Sequence, residues 1–353
     1  MTRRSTNAPT TPRRLPTTLA SLLAAVLLTA CGGRYQGTPN DHFDGAHFFN
    51  REPDNSVTDH LRWLWQMETI PWPEEIIDPA QPAPPSRIGA ADQLHVTYVN
   101  QSTVLIQSAG LNILTDPIWS DRAGPTSWMG ARRVRPPGVP FDQLPKIDVV
   151  LLSHDHFDHL DRPTLSRLIS RDHPQLIAGL GMKPRLADLG ATVAELDWWQ
   201  STAVAASTLS VTFVPARHNS GRSLFDGNET LWGGFVLELP VGRVLFFGDT
   251  AYGEHVARIA ERFPGFRLAI LPIGNYQPRW FMGTQHMNPD DAIAAHQALH
   301  AEDSMAIHFA TFEEHPEQSI TAHEADLATA TASRHVSPAS IWLPAFGEGR
   351  DFP

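Results

Sequence analysis

The chain has a single cysteine in 353 residues. That excludes an intramolecular disulfide and a cysteine-rich metal site, so any metal must be held by His, Asp or Glu. Basic residues are outnumbered, 27 against 38 acidic ones, for a formal net charge of −11. This shortage of positive charge argues against nucleic acid as a partner, since binding DNA or RNA calls for a basic surface. No G-x-G-x-x-G follows a predicted strand, which leaves a dinucleotide site unsupported. No internal repeat is visible. Three things are plentiful. The 30 prolines exclude a long coiled coil or helical bundle, because interior proline breaks a helix. An apolar content of 42% excludes wholesale disorder and supplies one large core or two small ones. The 17 histidines are a large reserve of metal-competent side chains.

The N-terminus reads as a targeting segment. Arg3, Arg4, Arg13 and Arg14 precede an apolar run, Leu19 to Leu28, and then Thr29-Ala30-Cys31. A basic region, a short apolar region and a small-residue cleavage site make a secretory signal. The run is shorter than the roughly 20 residues that span a bilayer. Leu28-Thr29-Ala30-Cys31 resembles a bacterial lipobox, in which the cysteine is lipidated and becomes the mature N-terminus. The expectation is therefore a lipoprotein signal over 1–30, lipidation at Cys31, and an envelope protein held to a membrane by its lipid anchor and facing the periplasm. An ordinary signal peptide with an incidental cysteine is the simpler reading. Removing residues 1–30 leaves 23 basic against 38 acidic residues, a net charge of −15.

Residues 31–92 read as a proline-rich lead-in, with a short amphipathic helix over Val57 to Trp65 that places Leu61, Leu64 and Trp65 on one face. Its aromatics, Phe48, Phe49, Trp63, Trp65 and Trp72, fit either a strap buried against the domain, the preferred reading, or contact with a lipid interface. From 93 to 353 the pattern is that of a folded domain. Alternation at Leu94, Val96 and Tyr98, then strands at 103–107 and 111–115, imply antiparallel hairpins. Val149 to Leu152 lies in a continuous apolar run of buried-strand length. Later strands are expected at 209–214, 234–239, 244–247, 268–272, 304–307 and 341–343. Helices are expected from near Asp161–Pro163 and at 252–262, 289–299 and 320–332. Asn288-Pro289-Asp290-Asp291 is a strong helix start: a cap, a proline, then acids against the helix dipole. Hairpins followed by strand–helix alternation fit a layered α/β sandwich.

The chemistry concentrates at the end of the 148–153 strand, in His154-Asp155-His156-Phe157-Asp158-His159. Burying so many His and Asp side chains without partners is costly, and cations between them remove that cost. His and carboxylate suit Zn²⁺ and similar ions. The bland alternative is a solvated polar loop without an ion. Asp155 and Asp161 read as supporting or capping residues. His95, His173, His255, His296, His300, His315, His323 and His335 read as surface or structural.

With its H-x-H-x-D-H after a strand, the sequence resembles the metallo-β-lactamase superfamily. That resemblance implies an α/β fold, the four-layer αββα sandwich. It also implies two Zn²⁺ ions, one on His154, His156 and His218, the other on Asp158, His159 and His308, with Asp249 bridging them. Further segments resemble the N-acylphosphatidylethanolamine-hydrolysing phospholipase D group. They include Thr115-Asp116-Pro117-Ile118-Trp119-Ser120-Asp121, Pro272-Ile273-Gly274-Asn275-Tyr276-Gln277-Pro278 and Gln285-His286-Met287-Asn288-Pro289. This closer resemblance implies a zinc-dependent hydrolase that cleaves a phosphodiester, an N-acylphosphatidylethanolamine-type phospholipid, by attack of a hydroxide shared between the metals. Asp158 and Asp249 would act in catalysis, with His286 orienting the phosphate or protonating the leaving oxygen. A lactonase or another phosphoester hydrolase of the same fold is the alternative reading. An envelope lipoprotein acting only by binding fits poorly with an intact ligand set.

Overall fold

The computed structural model describes residues 34–68, 70–204, 207, 209–223, 225–313 and 317–352. The targeting segment 1–30, Cys31 and His315 lie outside the described residues. Among the described residues no helix is long and apolar enough to cross a membrane.

The alternating stretch from Leu94 forms a meander of β1 (Leu94–Asn100), β2 (Thr103–Ser108) and β3 (Leu111–Thr115). Its register sets Val96 opposite Ile106 and Ile106 opposite Ile113. A small hairpin, β4 (Arg122–Ala123) with β5 (Ala131–Arg132), follows. The apolar run forms β6 (Val149–Leu152), which adds parallel to β3 and is buried on both faces. Next come β7 (Gln175–Gly179) and β8 (Val193–Leu196), also parallel. The second half supplies β9 (Ser201–Ala203), β10 (Ser210–Val214), β11 (Gly234–Leu239) and β12 (Gly242–Phe246) as an antiparallel run. It continues parallel through β13 (Phe266–Pro272), β14 (Ala301–Ile307) and β15 (Ile341–Trp342). The last strand, β16 (Gly349–Phe352), returns to pair antiparallel with β1. The two sheets run β16-β1-β2-β3-β6-β7-β8 and β15-β14-β13-β12-β11-β10-β9.

Period-two geometry sorts the apolar residues into layers. Val96, Tyr98, Ile106, Val149 and Ile177 of the first sheet meet Phe213, Phe235, Leu237 and Phe246 of the second in the central core. Leu105, Leu114, Val150 and Leu152 point outward, beneath α2 (Arg162–Asp172) and α3 (Met182–Leu186). The core also takes in Val256 and Ile259 of α4 (Glu254–Arg262), Ile293 of α6 (Pro289–Ala298) and Leu327 of α7 (Ala322–Ser333), helices that cover the second sheet. A one-turn α5 (Arg279–Met282) precedes α6. This is the expected αββα sandwich.

Several boundaries shift for identifiable reasons. The helix expected from 252 starts at Glu254, whose backbone N–H donates to Glu52 at 3.0 Å, an acid supplied by the lead-in. Asn288 does cap α6, through a reciprocal bond pair with Asp291. The strand expected at 304–307 begins at Ala301, because Ala301 and Asp303 continue the pairing with β13, opposite Phe266 and Leu268.

The lead-in lies against the sandwich. Phe43 and Phe48 are buried, His42 stands between the carboxylates of Asp41 and Asp197 at 2.7 Å each, and Trp72 donates to the Gln318 carbonyl. Asn50 Nδ2 donates to the His218 carbonyl at 2.7 Å. The predicted helix forms as α1 (Val57–Gln66), capped by Ser56 and Asp59. Trp63 stacks on Phe281 at 5.0 Å, but the Leu61, Leu64 and Trp65 face is bare, with Trp65 91% exposed. The aromatics thus divide: Phe48, Trp63 and Trp72 serve as strap contacts, and Trp65 does not.

Candidate metal centre

Parallel strands deliver loops to one edge of the sandwich, and the site is built on that edge. His154, His156, Asp158 and His159 follow β6, His218 follows β10, Asp249 follows β12, and His308 follows β14. Two small residues let the backbones close up. Gly248, at φ +64°, packs its Cα against Ser153, and a Cβ at Gly274 would collide with the His308 carbonyl.

The side chains converge as two groups. In the first, His154 Nε2 lies 2.9 Å and His218 Nε2 lies 3.2 Å from His156 Nδ1. In the second, Asp158 Oδ2 lies 3.0 Å from His159 Nε2 and 3.1 Å from His308 Nε2. Asp249 Oδ2 lies 3.2 Å from His159, 3.1 Å from His308 and 3.7 Å from His218, so it touches both groups. His286 joins the same cluster, its Nδ1 3.8 Å from Asp249 Oδ2. All eight sequence-predicted site residues of the folded domain are therefore brought together. The predicted lipidation residue Cys31 is outside the described residues.

Electrostatics differ between the groups. Burial, reinforced by the neighbouring rings, holds His154 well below its ordinary value, and burial carries His218 down to about 3. These rings are neutral and present lone pairs. In the second group burial pulls the other way from the carboxylates. Asp158 and Asp249 prevail, holding His159 well above its ordinary value and His308 up at about 10. Asp249 Oδ1 is buried and has no hydrogen-bond partner among the described residues. Three neutral imidazoles aimed at one another and an orphaned carboxylate oxygen fit divalent cations, and imidazole with carboxylate is a donor set for zinc-like ions.

The surroundings fix the orientation of these side chains, and here the sequence reading was incomplete. Asp116, at the end of β3, is fully buried. It accepts from His159 Nδ1 at 2.7 Å, from the Ser153 hydroxyl at 2.5 Å and from the Ser153 backbone N–H at 2.8 Å. Gln101 Nε2 donates to Asp158 Oδ2 at 2.9 Å, and His218 Nδ1 donates to the Gln285 carbonyl at 3.0 Å. The Thr115-Asp116-Pro117 motif was the available signal for Asp116; nothing comparable marked Gln101. Asp155 has a supporting role, accepting from the Gly221 N–H at 2.7 Å. Asp161 occupies the cap position of α2 without bonding the helix backbone; it binds the N–H groups of Trp119 and Ser120 instead. His255, His296 and His323 are buried structural residues, as expected.

Asp116→Ala strands three donors at once. It is expected to weaken metal binding by about 10–100-fold, the usual cost of losing a residue that orients a ligand. Chelator competition measures this, and unchanged affinity would show that His159 needs no orienting carboxylate.

The pocket above the cluster has a volume of about 260 Å³ and is walled by Ala123, Phe157, Asn275, Gln285 and His286. A larger cavity of about 890 Å³ opens at the opposite edge of the sheet, beside Lys146, Asp148 and His173.

Comparison with known proteins places this arrangement. The Beta-lactamase superfamily domain matches residues 111–309. An N-acyl-phosphatidylethanolamine-hydrolyzing phospholipase D of Caenorhabditis elegans is 36% identical over 261 residues, covering 69% of this chain and 72% of that one. A mitochondrial enzyme of the same name from Saccharomyces cerevisiae is 34% identical over 259 residues, covering 67% of this chain and 55% of that one. A metallo hydrolase of the archaeon Ignicoccus hospitalis shares the fold at a TM-score of 0.55 and 20% identity, over 74% of this chain and 99% of its own.

Proposed function

The chain belongs to the metallo-β-lactamase superfamily and is a metal-dependent hydrolase of that fold, and from this premise we propose that it cleaves the phosphodiester of an N-acylphosphatidylethanolamine-type phospholipid with two zinc ions. The observation that carries the reading is the shared carboxylate. Asp249 stands between a three-histidine group and an Asp/His group, at the floor of an open pocket. His154, His156 and His218 would hold one ion, Asp158, His159 and His308 the other, and Asp249 both. Such ions, when bound, acidify water towards neutral pH and neutralise charge on phosphoryl oxygens.

The chain's own residues do the remaining work. Asp116 keeps the Nδ1 proton of His159 in place, so that Nε2 faces the centre. The Gln285 carbonyl does the same for His218. His286 stands in the pocket wall beside Asp249, where it would give a proton to the leaving alkoxide oxygen of a bound phosphodiester. A lipid substrate also accounts for the bare face of α1. Trp63 of that helix stacks on Phe281, in the segment that runs on to His286, so the exposed Leu61 and Trp65 stand on the element joined to the pocket wall.

The test pairs turnover with elemental analysis. Purified protein is expected to carry two zinc ions per chain and to release phosphatidic acid from N-acylphosphatidylethanolamine. His156→Ala is expected to lose at least about 100-fold in turnover with the fold intact. Opening of a sugar-phosphate lactone without lipid cleavage would overturn the substrate. Active protein without transition metal would overturn the metal assignment.

A further inference from the structure

Behind Phe157 lies a second cleft, of about 440 Å³, whose walls include Arg122, Arg162, Arg167 and Arg222. Four guanidinium groups in one cleft stand out in a chain with 27 basic and 38 acidic residues. The cleft is next to the metal pocket. Phe157 lines both, and β4 contributes Arg122 to the cleft and Ala123 to the pocket.

Two of the four, Arg122 and Arg222, form no ion pair among the described residues. Arg222 uses Nη1 to donate to the carbonyls of Asp155 at 2.7 Å and Leu160 at 2.9 Å, and its guanidinium lies 3.9 Å from the Phe157 ring centre. It forms no ion pair among the described residues; the Asp155 carboxylate pairs with Arg185 instead. Burial lowers the Arg222 guanidinium to about 10, which leaves it charged at neutral pH. Arg122 donates to the Gly130 carbonyl at 2.8 Å and has no carboxylate partner among the described residues. The ion pair of Arg167 is with solvent-exposed Asp142, at 3.7 Å. Arg162 is held more firmly, by a fork to Asp188. Two acids belong to the cleft. Asp161 spends its oxygens on the N–H groups of Trp119 and Ser120 and the hydroxyls of Ser120 and Thr164, and Asp121 lies exposed at the rim. Asp155 and Asp161 lie near enough to Arg222 to favour its charged form, but neither carboxylate is in contact with it, and a planar guanidinium matches phosphate oxygens in pairs.

We propose that this cleft is an anion subsite that takes a phosphate group, one side chain away from the metal centre and separate from it. The phosphate comes either from a phosphodiester substrate that carries an additional phosphomonoester, which N-acylphosphatidylethanolamine does not, or from free inorganic phosphate. The first source rests on the phosphodiesterase reading; the subsite itself does not.

Equilibrium dialysis of inorganic phosphate against the metal-loaded full chain tests the subsite. The double variant Arg122→Gln/Arg167→Gln should weaken one bound phosphate by at least about tenfold while keeping the wild-type metal content. His156→Ala should retain that phosphate. Arg222→Lys, which keeps the charge and loses the fork, should weaken it less than the double variant. Binding that is lost with His156→Ala and indifferent to the arginines overturns the subsite, as does binding that neither change affects. A second arm compares KM for a phosphodiester with and without an additional phosphomonoester. A KM at least about tenfold lower for the doubly charged substrate, abolished in the arginine variant, identifies the substrate-borne source. Equal KM values with phosphate still bound identify free phosphate. No turnover of either diester, with phosphate binding intact, overturns the functional reading and leaves the subsite standing.

Discussion

Asp249→Asn is expected to reduce turnover by at least about 10³-fold, more than the loss of any single histidine of the cluster. Its carboxylate reaches both halves of the centre, at 3.1 to 3.7 Å from His159, His218 and His308. An amide supplies one neutral oxygen where two anionic ones stood, and its nitrogen can only donate. With two dications held as proposed, the negative charge between them would be lost, and with it a restraint on their spacing. His218→Ala or His308→Ala should each weaken one half and leave slow turnover on the other. The substitution is isosteric and follows Gly248, so the turn against Ser153 is preserved. Circular dichroism should therefore be unchanged. Measuring turnover and zinc content across the three variants decides the matter. Two zinc ions and near-normal turnover in Asp249→Asn would make Asp249 a structural strand-end residue.

Trp232→Ala is expected to be the most destabilising of these changes, at about 3–5 kcal/mol for the lost volume of a core tryptophan. The side chain is fully buried, and its Nε1 donates to the Ala216 carbonyl at 3.0 Å. The Trp232 carbonyl in turn accepts from Trp198 Nε1 at 2.8 Å. Against a total stability of about 5–15 kcal/mol, that loss threatens folding at physiological temperature. Ala216 lies two residues before His218, so the cavity also loosens one ligand. Trp232→Phe keeps most of the ring and forfeits the hydrogen bond, for a smaller loss of about 1 kcal/mol. Urea denaturation compares the three proteins. A shift below about 1 kcal/mol for the alanine variant would mean that the site collapses onto the missing volume.

The metal cluster was legible because its residues are dense in sequence or end apolar runs. His154 to His159 follow Val149–Leu152, and Asp249 and His308 each close a run of buried-strand composition. The layered fold was legible from alternation and from the capped start of α6. Other features depend on contacts between distant residues. The role of Asp116 exists only because β3 and β6 are neighbours, which brings its carboxylate to Ser153 and His159. β16 reads as a polar tail, Gly-Arg-Asp-Phe, until β1 offers it an open edge. β7 and β8 are four or five residues long and carry Ala, Gly or Glu, too little pattern to mark a strand. The arginine cleft gathers residues from three separate stretches, 122, 162–167 and 222, none of them a basic run.

The bond from Asn50 to the His218 carbonyl, with Glu52 at the start of α4, has a bearing on heredity. A gene segment encoding residues 93–353 looks like a self-sufficient unit that recombination could move to a new N-terminal neighbour. Such a transplant would leave behind the side chain that holds the backbone of one ligand and the acid that begins a covering helix. Residues 50 and 52 therefore belong with the folded domain, and a recombined chain that starts at 93 would have to rebuild both contacts from its new neighbour.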